Sequence, residues 1–242
     1  MCTVTVVPHE TGVRVMCNRD ERRSRPAALP PQVHDLGGRL AVFPVDPRGG
    51  GSWVGVNDAG IVVTLLNVSG PSKSSSQEPK RSRGLIVREV LRCGSLSHVV
   101  ETVAGLDASL FEMFRLVAMH CSTAVEAISD GVRTAIRRPI TLERPLLFTS
   151  SSLGDALVEA PRRQLFQRMV VERRSVWLRE QSRFHRHQWP SRPEISVRME
   201  RDDALTVSRT VVDVTRARRS LLYETPVTVD SSPAIRECCF LH

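Results

Sequence analysis

The sequence lacks any apolar run close to the roughly 20 residues that a helix needs to cross a bilayer. It also lacks a secretory pattern, because Pro8, His9 and Glu10 interrupt the apolar residues before them. Hydrophobic residues make up 41% and charged residues 25% of the 242 residues, as in an ordinary globular protein. We therefore expect one cytoplasmic domain over residues 1–242, without a transmembrane segment.

Paired cysteine motifs are absent too. The six cysteines show no C-x-x-C spacing, so we predict no metal site. A disulfide framework would be unusual in a cytoplasmic chain of this length. Cys2 is special for its position, and the other five are interpreted as small buried residues or bystanders: Cys17, Cys93, Cys121, Cys238 and Cys239.

Positive charge is abundant, with 34 Lys and Arg against 26 Asp and Glu, and it concentrates between Arg162 and Arg192. One interpretation is a pair of helices with a solvated arginine face, whose core side carries Leu165, Met169, Val176 and Trp177. The other is a site for an anionic ligand. No specific nucleic-acid partner is expected, because the sequence has no helix-turn-helix, zinc-finger or ribonucleoprotein motif. The oligomeric state does not follow from the sequence.

Apolar and β-branched segments predict strands joined by short turns. Residues 3–7 and 12–17 form one predicted hairpin, and residues 53–56 and 61–66 form a second. Further strands are predicted at 40–43, 114–120, 124–128, 132–136, 146–149, 195–199, 206–214 and 220–224. The proline-rich residues 22–37 are predicted to form an extended loop.

Helical spacing predicts helices over residues 85–91, 96–103 and 155–172. Ser95 and Asp155 are the predicted N-caps of the second and third. The order of strands, helices, strands, helices and strands predicts an α+β fold with antiparallel sheets and helices on the outside.

The predicted chemistry begins at Cys2. Methionine is removed before small residues, so excision of Met1 would place a thiol and a free α-amine on one residue. The amine has an ordinary pKa of about 7.7–8.0 and the thiol one of about 8.5. Near neutrality the amine can therefore accept the proton of the thiol and activate it as a nucleophile.

Four segments resemble the NRDE family, which includes the transport and Golgi organisation protein 2 proteins. They are MCTVTVVP, VMCNRDERRSRPA, GGGSWVGVNDAGIVVTLLN and SLGDALVEAPRR. The family signature is the run Asn18-Arg19-Asp20-Glu21 followed by Ser24-Arg25-Pro26. The resemblance implies a four-layer αββα fold of the N-terminal-nucleophile hydrolase type, with two antiparallel sheets.

A more distant similarity is to the choloylglycine hydrolase and penicillin V acylase group. It implies that Cys2 is the nucleophile and that Arg19 helps to hold its thiolate. Asp20 or Glu21 would orient the α-amine. Asn67 would donate a side-chain N–H to the oxyanion, where one donor contributes about 3 kcal/mol.

Four further residues are candidates for binding substrate. Asn18 lies in the signature, and Arg209 matches the last active-site arginine of the acylases by register. Trp53 is either a core residue or a substrate platform. Arg162 either belongs to a helix turn or binds a substrate carboxylate.

The chain departs from these relatives at two places. The acylases carry a second Asn after a Leu-Thr pair, whereas Phe148-Thr149 leads here into Ser150-Ser151-Ser152. Eukaryotic NRDE proteins carry an Asn near the position of Asp155, which we interpret as a helix cap.

Two functions follow from the resemblance. The first is an N-terminal-cysteine amidohydrolase that cleaves a linear amide through a thioester and requires no cofactor. The alternative is a non-catalytic binding or trafficking protein for haem or for an acyl or lipid ligand on the same fold. In both cases the partner is a small-molecule amide or an anionic ligand.

Overall fold

A computed structural model describes residues 2–70, 79–225 and 236–241, except for the side chains of Asp155 and residues 236–241. The strands are β1 Cys2–His9, β2 Gly12–Arg22, β3 Leu29–Asp35, β4 Leu40–Val45, β5 Val54–Asn57, β6 Val62–Asn67, β7 Phe114–His120, β8 Thr123–Ser129, β9 Thr134–Ile136, β10 Ile140–Thr141, β11 Leu146–Thr149, β12 Ala204–Thr215, β13 Arg219–Glu224 and β14 Arg236–Leu241. The helices are α1 Gly84–Val90, α2 Leu96–Ala104, α3 Asp155–Phe166 and α4 Trp177–Phe184.

The strands form two antiparallel sheets. The first has the order β11-β1-β2-β12-β13-β14, so β1 lies inside the sheet with β11 on one side and β2 on the other. The second has the order β10-β8-β7-β6-β5-β4-β3, with β9 also paired to β8.

Three apolar clusters hold four layers together, and each fully buried Val, Leu or Phe contributes about 1.5–3 kcal/mol. The central cluster joins the facing sides of the sheets and includes Val4, Val15, Val56, Val62 and Val117. A second cluster packs α1 and α2 on the outer face of the second sheet, and a third packs α3 and α4 on the outer face of the first. The fold is therefore the predicted α+β, four-layer αββα architecture.

The proline-rich loop prediction was wrong in part, because residues 29–35 form strand β3. Pro30 and Pro31 are tolerated there because β3 is an edge strand whose register shifts between Leu29 and Gln32. The predicted strand at 195–199 was also wrong. Residues Pro193–Ile195 form a 3₁₀ turn instead, and Val197 is buried beneath it among the α3–α4 residues.

The third helix differs from its prediction at both ends. Gly154 occupies the N-cap position with φ 101°, so Asp155 is the first helical residue and not the cap. The α-helix ends at Phe166 and continues as a single π-helical segment, Gln167–Val171. The arginine-rich residues that follow surround the buried carboxylate of Glu180, with exposed side chains at Arg173, Arg179 and Arg183.

None of the helices in the described ranges combines the length and the apolar composition that a membrane crossing requires.

Candidate active site

Cys2 is held at the start of β1 by strands on both sides. Its partner in β2 is Arg19. On the side of β11, the backbone N–H of Ser150 donates to the Cys2 carbonyl at 3.0 Å. The backbone nitrogen of Cys2 donates in turn to Ser150 Oγ at 3.1 Å. These contacts fix both ends of the Cys2 backbone, and the nitrogen is the atom that becomes the free α-amine when Met1 is removed.

The two-residue period of β2 divides the signature between its two faces. Cys17 packs in the central cluster with Cys2, and Arg19 and Glu21 continue that face to a cavity beside Cys2. Asn18 and Asp20 point to the opposite face, toward β12 and the α3–α4 layer. The four signature residues therefore do not act at one point.

The cavity beside Cys2 has a volume of about 500 Å³. Its walls are the ends of β1, β2 and β6, the loop before β5, and the start of α1: Cys2, Arg19, Glu21, Arg25, Asp46, Arg48, Gly49, Gly51, Ser52, Trp53, Leu65, Asn67, Lys80, Arg81, Ser82, Arg83, Gly84 and Glu112. The size is in the usual range for a small-molecule site.

Gly51 and Gly84 allow the loop before β5 to contact the start of α1 in the wall of this cavity. A Cβ on Gly51 would lie 2.2 Å from the carbonyl carbon of Gly84, and a Cβ on Gly84 would lie 2.8 Å from the nitrogen of Ser52. The Ser52 N–H donates to the Gly84 carbonyl at 3.0 Å. The two glycines therefore permit a close backbone contact between the loop before β5 and the start of α1.

Arg19 is buried against the cavity wall, and its side chain is only 6% exposed. Its guanidinium carbon lies 4.1 Å from the centroid of the Trp53 ring. One nitrogen, Nη2, lies 3.5 Å from a Glu21 carboxylate oxygen and 3.4 Å from Asp46 Oδ2. These contacts hold the positive charge beside Cys2.

Asp46 is a site residue that the sequence did not reveal. Its carboxylate bridges Arg19 and Arg25, and it also accepts the backbone N–H of Arg48 at 3.1 Å. Burial raises its pKa, but the hydrogen bonds from Arg25 and Arg48 outweigh burial and hold the pKa below its ordinary value. The sequence feature that could have indicated Asp46 is its place, with Pro47, directly before the glycine run. The pairing with Arg19 was not predictable because the two residues are 27 positions apart in the sequence.

The Cys2 thiol has a pKa below its ordinary value. The largest cause is a hydrogen bond from the Cys17 thiol, which burial opposes; the positive charge of the chain terminus lowers the pKa further, Asp20 raises it, and Arg19 has the smallest lowering effect. The pKa of Cys17 is correspondingly raised, chiefly by the same hydrogen bond and then by burial. Of this buried pair, Cys2 is therefore the thiol that ionises first.

Asp20 and Glu21, the two candidates for orienting the α-amine, have different surroundings. Asp20 is buried, accepts from Thr206 Oγ1 at 2.6 Å and acts electrostatically on Cys2. Burial raises its pKa against the opposing effects of Arg162 and Thr206. Glu21 instead contacts Arg19 and accepts the backbone N–H of Arg22.

Trp53 and Asn67 both line the cavity. Trp53 is also 6% exposed and belongs to the central cluster, so it is a core residue with one face on the cavity. Asn67 is the last residue of β6 and follows the buried Leu66. The residue is half-buried and lines the same cavity as Cys2.

Asn18 does not line the cavity, and its predicted role in substrate binding is corrected. Its Nδ2 donates to the carbonyls of His185 and Val197, both at 2.9 Å. Its Oδ1 lies 2.9 Å from His185 Nδ1. Both ends of the amide are therefore hydrogen-bonded within the protein, and they join β2 to the α3–α4 layer.

Arg162 is also corrected, because its side chain is inside the protein. The residue is 1% exposed, and its guanidinium donates to four acceptors. These are the Ile195 and Ser196 carbonyls and the hydroxyls of Thr3 and Thr149, at 2.7–3.0 Å. It joins α3 to β1, β11 and the segment before β12, and has no face left for a substrate carboxylate.

Arg209 lies away from Cys2 as well. It is opposite Asn18 in the β2–β12 pairing, so it shares the α3–α4 face of the first sheet. Its guanidinium pairs with the Glu224 carboxylate and lines a separate cavity with His185 and Ser208. The predicted match to the last active-site arginine of the acylases is not supported by this position.

Solved structures with the same fold share little sequence with this chain. An orthologue of N-acylethanolamine-hydrolyzing acid amidase from Caenorhabditis elegans matches with a TM-score of 0.60 and 14% identity, over 87% of this chain and 92% of that one. A C2A mutant of conjugated bile acid hydrolase from Clostridium perfringens matches with a TM-score of 0.53 and 11% identity, over 100% and 97%.

A penicillin V acylase from Agrobacterium tumefaciens matches with a TM-score of 0.51 and 13% identity, over 94% of this chain and 84% of that one. All three are proteins of the N-terminal-nucleophile hydrolase fold. Comparison with curated protein sequences gives no significant match. The family model for Transport and Golgi organisation 2 matches residues 1–222. On this evidence the chain belongs to the Transport and Golgi organisation 2 family.

Proposed function

We propose that the protein is an N-terminal-cysteine amidohydrolase that cleaves a linear amide through a thioester intermediate. The observation that carries the proposal is the Cys2 thiol. It lies at the wall of a small-molecule-sized cavity, has a lowered pKa and is next to Arg19. The amidase and acylase folds among the structural relatives support the same class of reaction.

The proposed reaction uses the Cys2 nitrogen as the base after removal of Met1. The amine accepts the thiol proton, and the thiolate attacks the amide carbon to give a tetrahedral oxyanion. Asn67 donates to this oxygen. The ammonium then gives its proton to the leaving nitrogen, the C–N bond breaks, and a thioester remains. Water, deprotonated by the same amine, attacks the thioester and releases a carboxylic acid and the thiol.

The neighbours of Cys2 have separate roles in this proposal. Ser150 Oγ and the carboxylate of Asp20 orient the amine, while Arg19 and the Cys17 thiol favour the thiolate. Asp46 and Glu21 keep Arg19 in place. The proposal thus assigns a nucleophile, a base, an anchor and an oxyanion donor to residues around Cys2.

The test combines intact mass with labelling by an electrophilic acyl probe, for which a β-lactone is suitable. We expect a mass that lacks Met1 and one adduct that maps to Cys2. Cys121 is an internal control, because its thiol is exposed whereas Cys2 is buried. Faster labelling at Cys2 than at Cys121 therefore reports activation and not access. Retained Met1, or preferential labelling at Cys121, would contradict the free-amine mechanism.

The alternative, a binding or trafficking protein for haem or an acyl ligand, differs in one measurable way. A Cys2→Ala variant of the hydrolase loses turnover while it keeps its fold. A binding protein has no turnover to lose and retains its ligand affinity in the same variant.

A further inference from the structure

The Cys2 cavity has more positive than negative side chains in its wall. The basic residues are Arg19, Arg25, Arg48, Lys80, Arg81 and Arg83, and the acidic residues are Glu21, Asp46 and Glu112. Glu21 and Asp46 are used by Arg19 and Arg25. Arg83 adds positive charge to the same wall from the residue before α1, separate from the Arg19 and Arg25 pairs.

We propose that the substrate is an anionic amide, and that Arg83 binds a carboxylate near the bond to be cleaved. This inference rests on the proposed function and specifies its substrate class. Arg83 precedes α1, is half-buried and lines the same cavity as Cys2 and Asn67. It is close enough to Cys2 and Glu21 to interact electrostatically with both.

The Arg83 guanidinium is anchored but not neutralised. Its Nη1 donates to the Met113 carbonyl at 2.8 Å, which fixes the plane of the group. Within the described ranges, no carboxylate lies within 4 Å of it. Glu112 is the largest electrostatic influence among its neighbours, but that side chain is exposed. Burial lowers the pKa of Arg83, so an anionic partner would stabilise its charged form.

The open edge of the guanidinium favours a carboxylate in particular. Nη1 is held by Met113, and the Nε–H and Nη2–H bonds form the planar fork of the guanidinium. Such a fork matches the two oxygens of a carboxylate and gives two charge-assisted hydrogen bonds. A neutral acyl chain would leave this buried charge without a partner, which is unfavourable.

The inferred carboxylate can belong to the acyl part or to the amine part of the substrate, and three chromogenic amides distinguish these sources. They are the glutaryl amide of para-nitroaniline, the pentanoyl amide of an aminonitrobenzoic acid, and the neutral pentanoyl amide of para-nitroaniline. The first carries its charge on the acyl part and the second on the amine part. We expect kcat/KM for one of the two anionic amides to exceed that of the neutral amide.

Arg83→Gln should lower kcat/KM for the preferred anionic amide by about 10- to 100-fold, the effect of losing hydrogen bonds to a charged group. It should change the neutral amide much less. Arg83→Lys keeps the charge but not the fork and should lie between. Arg88→Gln is the matched control, because Arg88 lies within α1, is half-buried like Arg83 and also donates to a backbone carbonyl, that of Gly50.

A binding measurement without turnover separates this inference from the proposed function. Calorimetry should show that glutarate binds the wild-type protein more tightly than glutaramide does, and that Arg83→Gln removes the difference.

The outcomes separate the two proposals. Arg83-dependent glutarate binding without turnover of any amide would reject the hydrolase but keep the anionic ligand class. Two results would overturn the inference and keep the hydrolase. One is Cys2-dependent turnover at equal rates for the anionic and neutral amides, and the other is an Arg83→Gln variant that slows the anionic and neutral amides by the same factor. Equal glutarate binding, or none, in both proteins would also overturn it.

Discussion

Cys2 and Arg19 lie directly opposite each other in the antiparallel pairing of β1 and β2. The pairing places the start of the chain against the second residue of the family signature. It also makes Cys17 a diagonal neighbour of Cys2 on the same face, within reach of its thiol. The positions of Arg19 and Cys17 relative to Cys2 are therefore set by the β1–β2 hairpin.

Cys17→Ala should raise the pKa of Cys2, because it removes the hydrogen bond that contributes most to the lowered value. The measurement is the rate of Cys2 alkylation by iodoacetamide as a function of pH, followed by mass. The midpoint should move to higher pH. Cys93→Ala is the control, since Cys93 is buried in the α1–α2 cluster, away from Cys2. An unchanged midpoint in Cys17→Ala would show that the thiol pair does not tune Cys2.

Ser150→Ala should slow acylation of Cys2 by about 10-fold, because one hydrogen bond to the amine contributes about 1 kcal/mol or somewhat more. The backbone bond from Ser150 to the Cys2 carbonyl remains in this variant. Ser150→Thr retains a hydroxyl and should restore most of the rate. The pH–rate profile identifies the cause, since a misplaced amine shifts its basic limb and a structural defect does not. Equal rates in all three proteins would exclude Ser150 from positioning the amine.

Arg162→Ala should reduce the free energy of unfolding by about 3–5 kcal/mol, because it leaves several buried acceptors and the nearby Asp20 without their positive partner. Urea unfolding measures this effect. Arg163→Ala is the control at the next position. Arg163 is exposed and pairs only with Glu159 in the described structure, so its loss should cost at most about 0.5 kcal/mol. Similar losses for the two variants would contradict the internal role of Arg162.

His185 should make stability depend on pH in the acid range. Burial is the main cause that lowers its pKa from 6.5 to about 3. Above pH 6.5 both folded and unfolded states carry the neutral ring. Between pH 6.5 and about 3 only the unfolded state binds the proton, so stability falls as pH falls.

The expected slope from His185 is at most about 1.4 kcal/mol per pH unit. Denaturant unfolding at several pH values should show a smaller slope for His185→Gln than for the wild type. The tautomer has a structural basis: Asn18 Oδ1 accepts from Nδ1–H, and Nε2 accepts from the Thr5 hydroxyl at 2.7 Å. Equal slopes in both proteins would mean that His185 titrates normally in the folded state.

Some of the predictions were wrong because the sequence does not show which face of a strand or helix each side chain meets. The signature run was treated as one functional unit, yet alternate residues of β2 face opposite layers. Arg162 and Arg209 were assigned to substrate by motif and register, but one is enclosed by four acceptors and the other pairs with Glu224. In contrast, the hairpins predicted at 3–7 and 12–17 and at 53–56 and 61–66, and the cap at Ser95, were confirmed, because each depends on neighbours within a few positions.

The sequence by itself determined the nucleophile candidate Cys2, the α+β class, and the periods that give most elements an apolar face. These are local properties of the chain, set by residue type and spacing. Only the tertiary structure decided which face of β2 meets a cavity and which meets α3 and α4. It also brought Asp46, Arg83 and Ser150 to Cys2 from distant positions. The proximity of these residues to Cys2 depends on how the two sheets stack and on which charges are buried. Both are set by contacts between residues far apart in the sequence, so no short segment of sequence reveals them.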